Sequence, residues 1–444
     1  MTATNVAILL SRGRDVASRR ADRFMLGSMA IYVHLWIVEG ALRKWIPATA
    51  TPLYVFRDAV LIACIALAFA MFGAPTRRVF ATTIWLAGLA LVTFVAIQVI
   101  ASRMDIAVGL FGIRNYVAPI LIAYVVWMRQ LGGFLERAVR IIACWAPIQL
   151  IIVIVQVSSG VDSPINAQVG GESAYFTSAF GVVRASGTFS APAGLIVHLT
   201  LALFAAIVMM SDSSRYSRLL AIVCFASAIG MLAISGSRGA IFSAATVAIG
   251  WLVYTLINSS TKAIRPLLIA IILGIAAYFA VAQLFPSVIE AFAARFENAD
   301  QSEDTVARIL GAMVGFANQP VTFLGDGAGS HSTIGISVGS PHKWVEDDSS
   351  RWVAELGYLG LMLSILRFAA GIALGGWAIL KIRQVTLPTF LAAAAMVPVA
   401  LGGSITTSPT SQGFFAIALG MLLSSRLPGD ELMSATDLDK ERAT

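Results

Sequence analysis

Residues 344–379 read WVEDDSSRWVAELGYLGLMLSILRFAAGIALGGWAI, and their character changes after Arg351. The part up to Arg351 contains three consecutive acidic residues, whereas the part that follows is almost entirely apolar. A helix needs about 20 apolar residues to cross the hydrocarbon core of a bilayer. The run 352–379 therefore predicts a membrane-spanning helix that is preceded by a polar segment.

The rest of the chain repeats this apolar pattern. Of its 444 residues, 58% are hydrophobic and 12% are charged, whereas soluble domains carry about 25% charged residues. The mean hydropathy is +0.82. We therefore predict an all-α integral membrane protein with about 12 transmembrane helices and one large periplasmic loop that contains short amphipathic helices. The predicted spans are 24–42, 54–73, 79–101, 106–127, 138–158, 191–210, 217–235, 239–257, 265–285, 352–379, 384–403 and 410–426.

The positions of lysine and arginine predict the orientation. Most of them fall in loops that share one side of the membrane when the N-terminus is cytoplasmic, as the positive-inside rule requires. Both termini are then cytoplasmic. The predicted regions are an N-terminal arm 1–23, helices 24–285 with an outer loop 159–190, a large periplasmic loop 286–351, helices 352–426 and a tail 427–444. The three cysteines lie within apolar runs without metal-binding spacing, which favours unpaired core thiols.

Several arginines lie at or near membrane depth. Arg57 and Asp58 open the second predicted span, Arg114 lies within the fourth, Arg184 ends the 159–190 loop, and Arg238 separates two spans. Charge at this depth costs at least a few kcal/mol, so it normally faces a partner or a hydrated cavity. Guanidinium groups suit phosphate oxygens because of their planar fork. We expect a diphosphate site, while a snorkelling or carboxylate-paired arginine remains the alternative at each position.

The 286–351 segment holds the longest polar stretch. Asp300 and Glu303 predict a helix start, and the apolar spacing after them predicts a surface helix that carries Arg308 on its flank. The sequence Gly325-Asp-Gly327-Ala-Gly329 does not follow a strand, so it is not a nucleotide-binding fingerprint. We expect a turn that could lie close to a ligand or serve only as a connection.

The acidic residues before the tenth span have two interpretations. Glu346 could act as a general base on a sugar hydroxyl, or the three acidic residues could stabilise a helix N-terminus. Arg351 and Glu355 share a helix face at i, i+4. His331 and His342 are the other candidate bases nearby.

Four motifs occur at the ends of these spans in a fixed order. They are Arg184 followed by Gly-Thr-Phe-Ser, Ser-Gly-Ser-Arg238-Gly-Ala, Leu-Gly325-x-Gly-x-Gly, and Ala-Glu355-Leu-Gly-x-Leu-Gly. With these motifs the chain resembles the O-antigen ligase and polymerase superfamily of bacterial envelopes over most of its length. The stretch 39–47, EGALRKWIP, looks like the subgroup described as exopolysaccharide polymerase-like.

The resemblance implies a mechanism. Outer arginines bind the diphosphate of a polyprenyl-linked glycan, the periplasmic loop closes over it, and transfer needs no nucleotide sugar, cofactor or metal. The residues expected at the diphosphate are Arg57, Arg114, Arg184, Arg238, Arg295 and Arg308. Ligases of this family place a histidine nine residues before the glutamate that matches Glu355. Here that position is Glu346, which favours a polymerase with Glu346 as the base and His342 as the second candidate.

The sequence therefore predicts an inner-membrane polysaccharide polymerase that joins polyprenyl-diphosphate-linked repeat units by inverting, metal-independent glycosyl transfer. Ligase-type transfer to a lipid or protein acceptor is the first alternative. A transporter or flippase for a lipid-linked anion is the second, because intramembrane arginines suit transport as well. The expected partners are the lipid-linked oligosaccharide, the bilayer and other polysaccharide assembly and export proteins, with no nucleic acid.

Overall fold

The computed structural model describes residues 3–72, 78–169, 182–212, 215–258, 305–345 and 347–426, with scattered positions between 272 and 290. Helices are the regular elements of this described part. The first nine are α1 Ala3–Trp45, α2 Ala50–Phe72, α3 Arg78–Ile100, α4 Ile106–Val117, α5 Leu121–Arg129, α6 Phe134–Ser158, α7 Pro192–Ser211, α8 Arg218–Ser235 and α9 Arg238–Ile257. The others are α10 Thr305–Val314, α11 Thr333–Ser337, α12 Asp348–Leu356, α13 Tyr358–Leu380, α14 Leu387–Gly402 and α15 Pro409–Ser424.

Length and composition confirm an α-helical membrane protein. Within the described residues, 8 stretches are long and apolar enough to cross a membrane. They are Arg19–Trp45, Thr82–Ile100, Ile106–Arg129, Phe134–Ser158, Pro192–Ser211, Arg218–Ser235, Arg238–Ile257 and Tyr358–Leu380. The predicted span 265–285 lies mostly outside the described residues, as do residues 170–181 of the predicted outer loop and the tail 427–444.

Two spans predicted on either side of residue 238 are separate helices. Helix α8 ends at Ser235, and the next residue, Gly236, has φ +53°. Glycine takes this left-handed conformation at little cost, whereas a residue with a Cβ is strained there. Gly236 and Ser237 thus interrupt the helix between α8 and α9.

Burial separates the centre of the bundle from its lipid-facing edge. In α7, 78% of the apolar window is buried inside the protein, against 11% in α3. Helix α7 packs against α6, α8 and α9, whereas α3 exposes Trp85, Leu86 and Leu89. An apolar helix that buries so little of its surface in protein needs another apolar medium around it. Helix α7 is thus the core of the bundle, and α3 faces lipid.

The polar segments of the chain meet at one end of the bundle. This end contains the turns between α1 and α2, between α3 and α4 and between α14 and α15, together with residues 305–356. Contacts hold these segments together: a Cβ at Gly112 of α4 would lie 2.3 Å from the backbone oxygen of Ala328. Likewise, Lys44 at the end of α1 reaches the 184–190 segment before α7. We call this part of the molecule the loop end.

Candidate functional site

Five charged side chains from three helices form a buried group at the loop end, which we call the arginine cluster. Arg43 Nη1 lies 3.3 Å from Glu39 Oε1, and Arg57 Nη1 lies 3.1 Å from Glu39 Oε2. Arg57 Nε lies 3.3 Å from Asp58 Oδ1, and Arg114 Nη2 lies 2.5 Å from Asp58 Oδ2. Two carboxylates thus bridge three guanidinium groups, so these five side chains carry a formal charge of +1 when they are counted by themselves.

Arg57 is the most enclosed member of the arginine cluster. Its side chain is 1% exposed, and its guanidinium lies 4.9 Å from the ring centre of Tyr32. Its Nη2 is buried and has no hydrogen-bond acceptor among the described residues. A buried donor without an acceptor costs about 1–3 kcal/mol, and more when the group is charged. The cluster therefore has the charge and the donor capacity to bind a further anion.

Two more basic side chains lie near the end of α1. Lys44 donates to Ser186 Oγ at 2.9 Å and to the Gly187 carbonyl oxygen at 2.7 Å. Arg184, two residues before Ser186, lines a small polar cleft with Asn166. Its Nε is buried without a hydrogen-bond acceptor among the described residues, and burial lowers the pKa of the Arg184 guanidinium. The 184–187 segment thus brings positive charge to the end of α1.

A second buried group, the carboxylate cluster, comprises Asp348, Arg351 and Glu355 of α12, Arg367 of α13 and Thr406. Asp348 accepts hydrogen bonds from the backbone N of Thr406 at 2.8 Å, from Thr406 Oγ1 at 3.0 Å and from Arg351 Nη2 at 2.7 Å. Arg351 Nε lies 4.0 Å from Glu355 Oε1, which confirms the predicted i, i+4 pair. Arg367 donates to the carbonyl oxygens of residues 399, 400 and 403. This cluster fastens the start of α12 to the segment between α14 and α15.

Glu355 organises the glycine-rich turn. Its Oε2 accepts from the backbone N of Gly329 and from Tyr116 Oη, both at 2.8 Å, and its Oε1 accepts from the backbone N of His331 at 3.1 Å. The backbone N of Gly327 donates to the Glu355 carbonyl oxygen at 3.1 Å. The amides of the turn therefore bind the end of α12. These amides donate to Glu355 and hold its side chain in the turn, so they are not directed at a ligand.

All three glycines of the turn have positive φ: +72° at Gly325, +110° at Gly327 and +86° at Gly329. A Cβ at Gly325 would lie 2.4 Å from the Glu355 carbonyl oxygen, and one at Gly329 would lie 2.8 Å from that of Val108. Both the backbone conformation and the close approach of helices therefore require glycine here.

Hydrogen bonds connect the two clusters. Arg114 Nη1 donates to Asn115 Oδ1 at 3.1 Å. Gln412 Nε2 donates to the same oxygen at 2.9 Å and to the Thr406 carbonyl oxygen at 3.1 Å. Because Thr406 also binds Asp348, a continuous polar path leads from the arginine cluster to α12 and the glycine turn.

Two histidines and an aspartate lie beside Glu355. His331 Nε2 is 2.9 Å from Asp326 Oδ2, and His331 Nδ1 is 2.8 Å from the Lys343 carbonyl oxygen. His342 Nδ1 lies 3.8 Å from the same Asp326 Oδ2, and the two imidazole ring centres are 4.8 Å apart. The structure thus places both histidines predicted as candidate bases in one group.

The predicted site residues therefore fall into separate groups. Arg57 and Arg114 share the arginine cluster, while Arg351, Glu355, the three glycines and His342 lie together around α12. Arg238 is half-buried at the first residue of α9. Arg308 lies on α10, but its side chain is outside the described residues, as are Glu346 and Arg295 as a whole. Residues 300–304, where a helix start was predicted, are also outside them.

The two interpretations of the acidic residues before α12 can be compared for Asp347. Its Oδ2 accepts a hydrogen bond from the backbone N of Ser350 at 2.8 Å, so Asp347 is the N-cap of α12. A role at the helix N-terminus is therefore confirmed for Asp347. Asp348 is different, because its carboxylate binds Thr406 and Arg351 across the loop end.

Sequence analysis missed several polar residues of the site. Gln98 Nε2 donates to the Glu355 carbonyl oxygen at 2.8 Å, and Gln98 Oε1 accepts from the backbone N of Ala328 at 3.0 Å. Tyr116 and Gln412 have comparable roles. Gln98 and Gln412 could have been found as amide side chains within apolar runs. A polar group that is buried in a membrane protein requires hydrogen-bond partners, so such a residue indicates a contact with another segment.

Comparisons with known proteins add no family to this geometry. No family model, no curated protein and no solved structure matches the chain. The argument for function therefore depends on the site itself.

Proposed function

We propose that this protein is an inner-membrane polysaccharide polymerase that joins polyprenyl-diphosphate-linked repeat units on the periplasmic face. The observation that supports this most is the arginine cluster, which gathers three guanidinium groups at the loop end and in which the buried Arg57 Nη2 has no acceptor among the described residues. Charged side chains among apolar helices cost free energy unless they are paired with opposite charge or face a hydrated cavity, and they often mark a functional site. A membrane-anchored diphosphate supplies an anion at this depth.

The cluster is suited to stabilise a leaving group. Guanidinium groups bind phosphate oxygens through two parallel N–H···O bonds. Negative charge develops on the diphosphate as the glycosidic bond to it breaks, and fixed cations there lower the barrier. We assign the primary contact to Arg57 and Arg114. The further predicted contacts are those of Arg184, Arg238, Arg295 and Arg308.

The proposed step is a direct displacement. A hydroxyl oxygen of the acceptor repeat unit attacks the anomeric carbon of the donor from the side opposite the diphosphate. The bond between the anomeric carbon and the diphosphate oxygen breaks, and its electron pair leaves with the polyprenyl diphosphate. The hydroxyl proton passes to the carboxylate of Glu346. The configuration at the anomeric carbon is inverted, and the arginines take the place of a metal ion at the diphosphate.

Glu355 and Arg351 are positioning residues in this proposal. The Glu355 carboxylate is occupied by Tyr116 and by two backbone amides of the glycine turn. It is therefore not available as a base. Its role is to hold the loop next to the segment that leads to Glu346.

The product of the reaction tests this function. Purified protein is incubated with a lipid-linked repeat unit, without nucleotide sugar and without added Mg²⁺, and the glycan is separated on a gel. The proposal predicts a ladder of repeat units. A single transfer that requires an added lipid or protein acceptor would indicate a ligase, and no new glycosidic bond with any acceptor would indicate transport of the lipid-linked anion.

Two substitutions test the assigned roles. Arg238→Ala and Glu346→Gln are each expected to abolish polymer while the protein remains in the membrane. Arg383→Ala and Glu136→Gln are matched controls, since both residues lie in turns or helix ends away from the loop end. Wild-type polymer levels in the first two variants would refute the assigned roles of Arg238 and Glu346.

A further inference from the structure

The hydrogen bonds of His331 fix its ring protons. A carbonyl oxygen only accepts, so Nδ1, at 2.8 Å from the Lys343 oxygen, carries a hydrogen. In a neutral ring, Nε2 then presents its lone pair to Asp326 Oδ2 at 2.9 Å. An ionised carboxylate also only accepts. Two acceptors at this distance require a hydrogen or a metal ion between them.

A third donor atom favours the metal ion. His342 Nδ1 lies 3.8 Å from Asp326 Oδ2, and the three candidate ligand atoms all lie within 4.8 Å of one another. A single proton serves only one pair of acceptors. Ligands at about 2.1 Å from a zinc ion are separated from one another by about 3.0–3.5 Å. His342 must approach the other two ligands more closely for this geometry, and its side chain is 31% exposed.

We propose that Asp326, His331 and His342 bind a divalent transition-metal ion, with Zn²⁺ as the best match. Two imidazole nitrogens and one carboxylate oxygen suit the ligand preference of zinc. Three protein ligands leave one position of a tetrahedral ion for water. The side chain of Asp326 is 39% exposed, so the ion reaches the site directly from solvent.

The surroundings of the ligands support this assignment. A metal-binding histidine usually donates its other N–H to a carbonyl or carboxylate group, and His331 does so with Lys343. Ser340 Oγ donates to the Ser330 carbonyl oxygen at 2.7 Å, and the backbone N of Val345 donates to the His331 carbonyl oxygen at 3.3 Å. The two ligand-bearing segments are therefore already paired. The ion fastens residues 326–331 to residues 342–345.

The site is distinct from the proposed transfer chemistry. His331 is tied to Glu355 through its backbone N, so the ion stabilises the loop around α12 and does not neutralise the diphosphate. With His342 as a ligand, Glu346 is the base. Metal binding can be measured without a glycan. Its result is therefore independent of whether the protein makes polymer.

The test measures metal content on the full-length protein in detergent, after removal of any histidine tag. The protein is stripped with a chelator, reloaded with Zn²⁺, and its metal is counted by mass spectrometry. Absorption of bound Co²⁺ reports the coordination. We expect about one ion per chain in the wild type. For His331→Ala and His342→Ala, we expect binding at least about tenfold weaker.

His34→Ala is the matched control, because His34 accepts a hydrogen bond from Trp145 away from the loop end and should bind zinc like the wild type. Size-exclusion profiles identify any variant that fails to fold. If His331→Ala fails to fold, His342→Ala still tests the proposal, because the His342 side chain is partly exposed. Equal binding by wild type and His342→Ala would overturn the proposal. So would a wild type that retains no zinc, in which case a proton on His331 explains its contact with Asp326.

Discussion

The arginine cluster and the carboxylate cluster both lie largely inside the loop end but differ in charge balance. The arginine cluster sets three guanidinium groups against the carboxylates of Glu39 and Asp58. The carboxylate cluster sets two arginines, Arg351 and Arg367, against the two carboxylates of Asp348 and Glu355. One cluster has an excess of positive charge, whereas the other is balanced.

The two clusters also differ in the hydrogen-bond partners of their charged groups. Asp348 and Glu355 accept from backbone amides of two segments, the glycine turn and the segment before α15, so their carboxylates determine how the loop end folds. Arg57, in contrast, contacts the side chains of Glu39, Asp58 and Tyr32 rather than backbone amides of the loop end. The difference indicates that the carboxylate cluster maintains the fold of the loop end, and we propose the arginine cluster as the place where a ligand binds. Each prediction below tests one side of this comparison.

The largest effect is expected for Asp348→Ala. Removal of this carboxylate leaves Arg351 without its closest anion and the Thr406 amide without an acceptor. Loss of one partner from a buried ion pair costs about 3–5 kcal/mol. Asp347→Ala, at the adjacent N-cap, should cost only about 1 kcal/mol. Thermal denaturation in detergent measures both.

A similar loss of stability in the two aspartate variants would break the comparison. It would mean that Asp348 contributes no more than a helix cap does. The carboxylate cluster would then not be what fastens α12 to the segment before α15.

A smaller effect is expected for Gly329→Ala. Its φ of +86° costs a residue with a Cβ about 1–2 kcal/mol. The new Cβ would also lie 2.8 Å from the Val108 oxygen, and such overpacking costs about 1–3 kcal/mol more. Gly339→Ala is the matched control, since Gly339 has φ +105° but no atom within 4 Å of a new Cβ. Denaturation should therefore show a greater loss for Gly329→Ala. Equal losses would show that the turn is not packed tightly against α4.

Local parts of this architecture could be predicted from the sequence. Membrane-length apolar runs give the helices, because their length and composition are properties of the segment itself. The Arg351–Glu355 pair follows from i, i+4 spacing on one helix. The break between α8 and α9 follows from the short polar stretch around Arg238 between two apolar runs. Each of these inferences needs only residues that are close in the chain.

The long-range contacts could not be predicted in this way. Nothing in the sequence pairs Asp58 with Arg114 or Tyr116 with Glu355, because these contacts depend on how α2, α4 and α12 pack. The approach of His342 to Asp326 depends on the path of an irregular loop, for which there is no periodicity to read. Tertiary packing therefore decides which charges remain unbalanced.

The most direct test of the account is the affinity of the purified protein for a polyprenyl diphosphate. Arg57→Lys keeps the charge but loses the planar fork that grips a phosphate group. We expect its binding to weaken by about tenfold, or about 1.4 kcal/mol. Arg129→Lys changes an arginine paired with Asp22 at the opposite end of the bundle and should bind like the wild type. Equal affinities for all three proteins would contradict the assignment of the arginine cluster to the diphosphate.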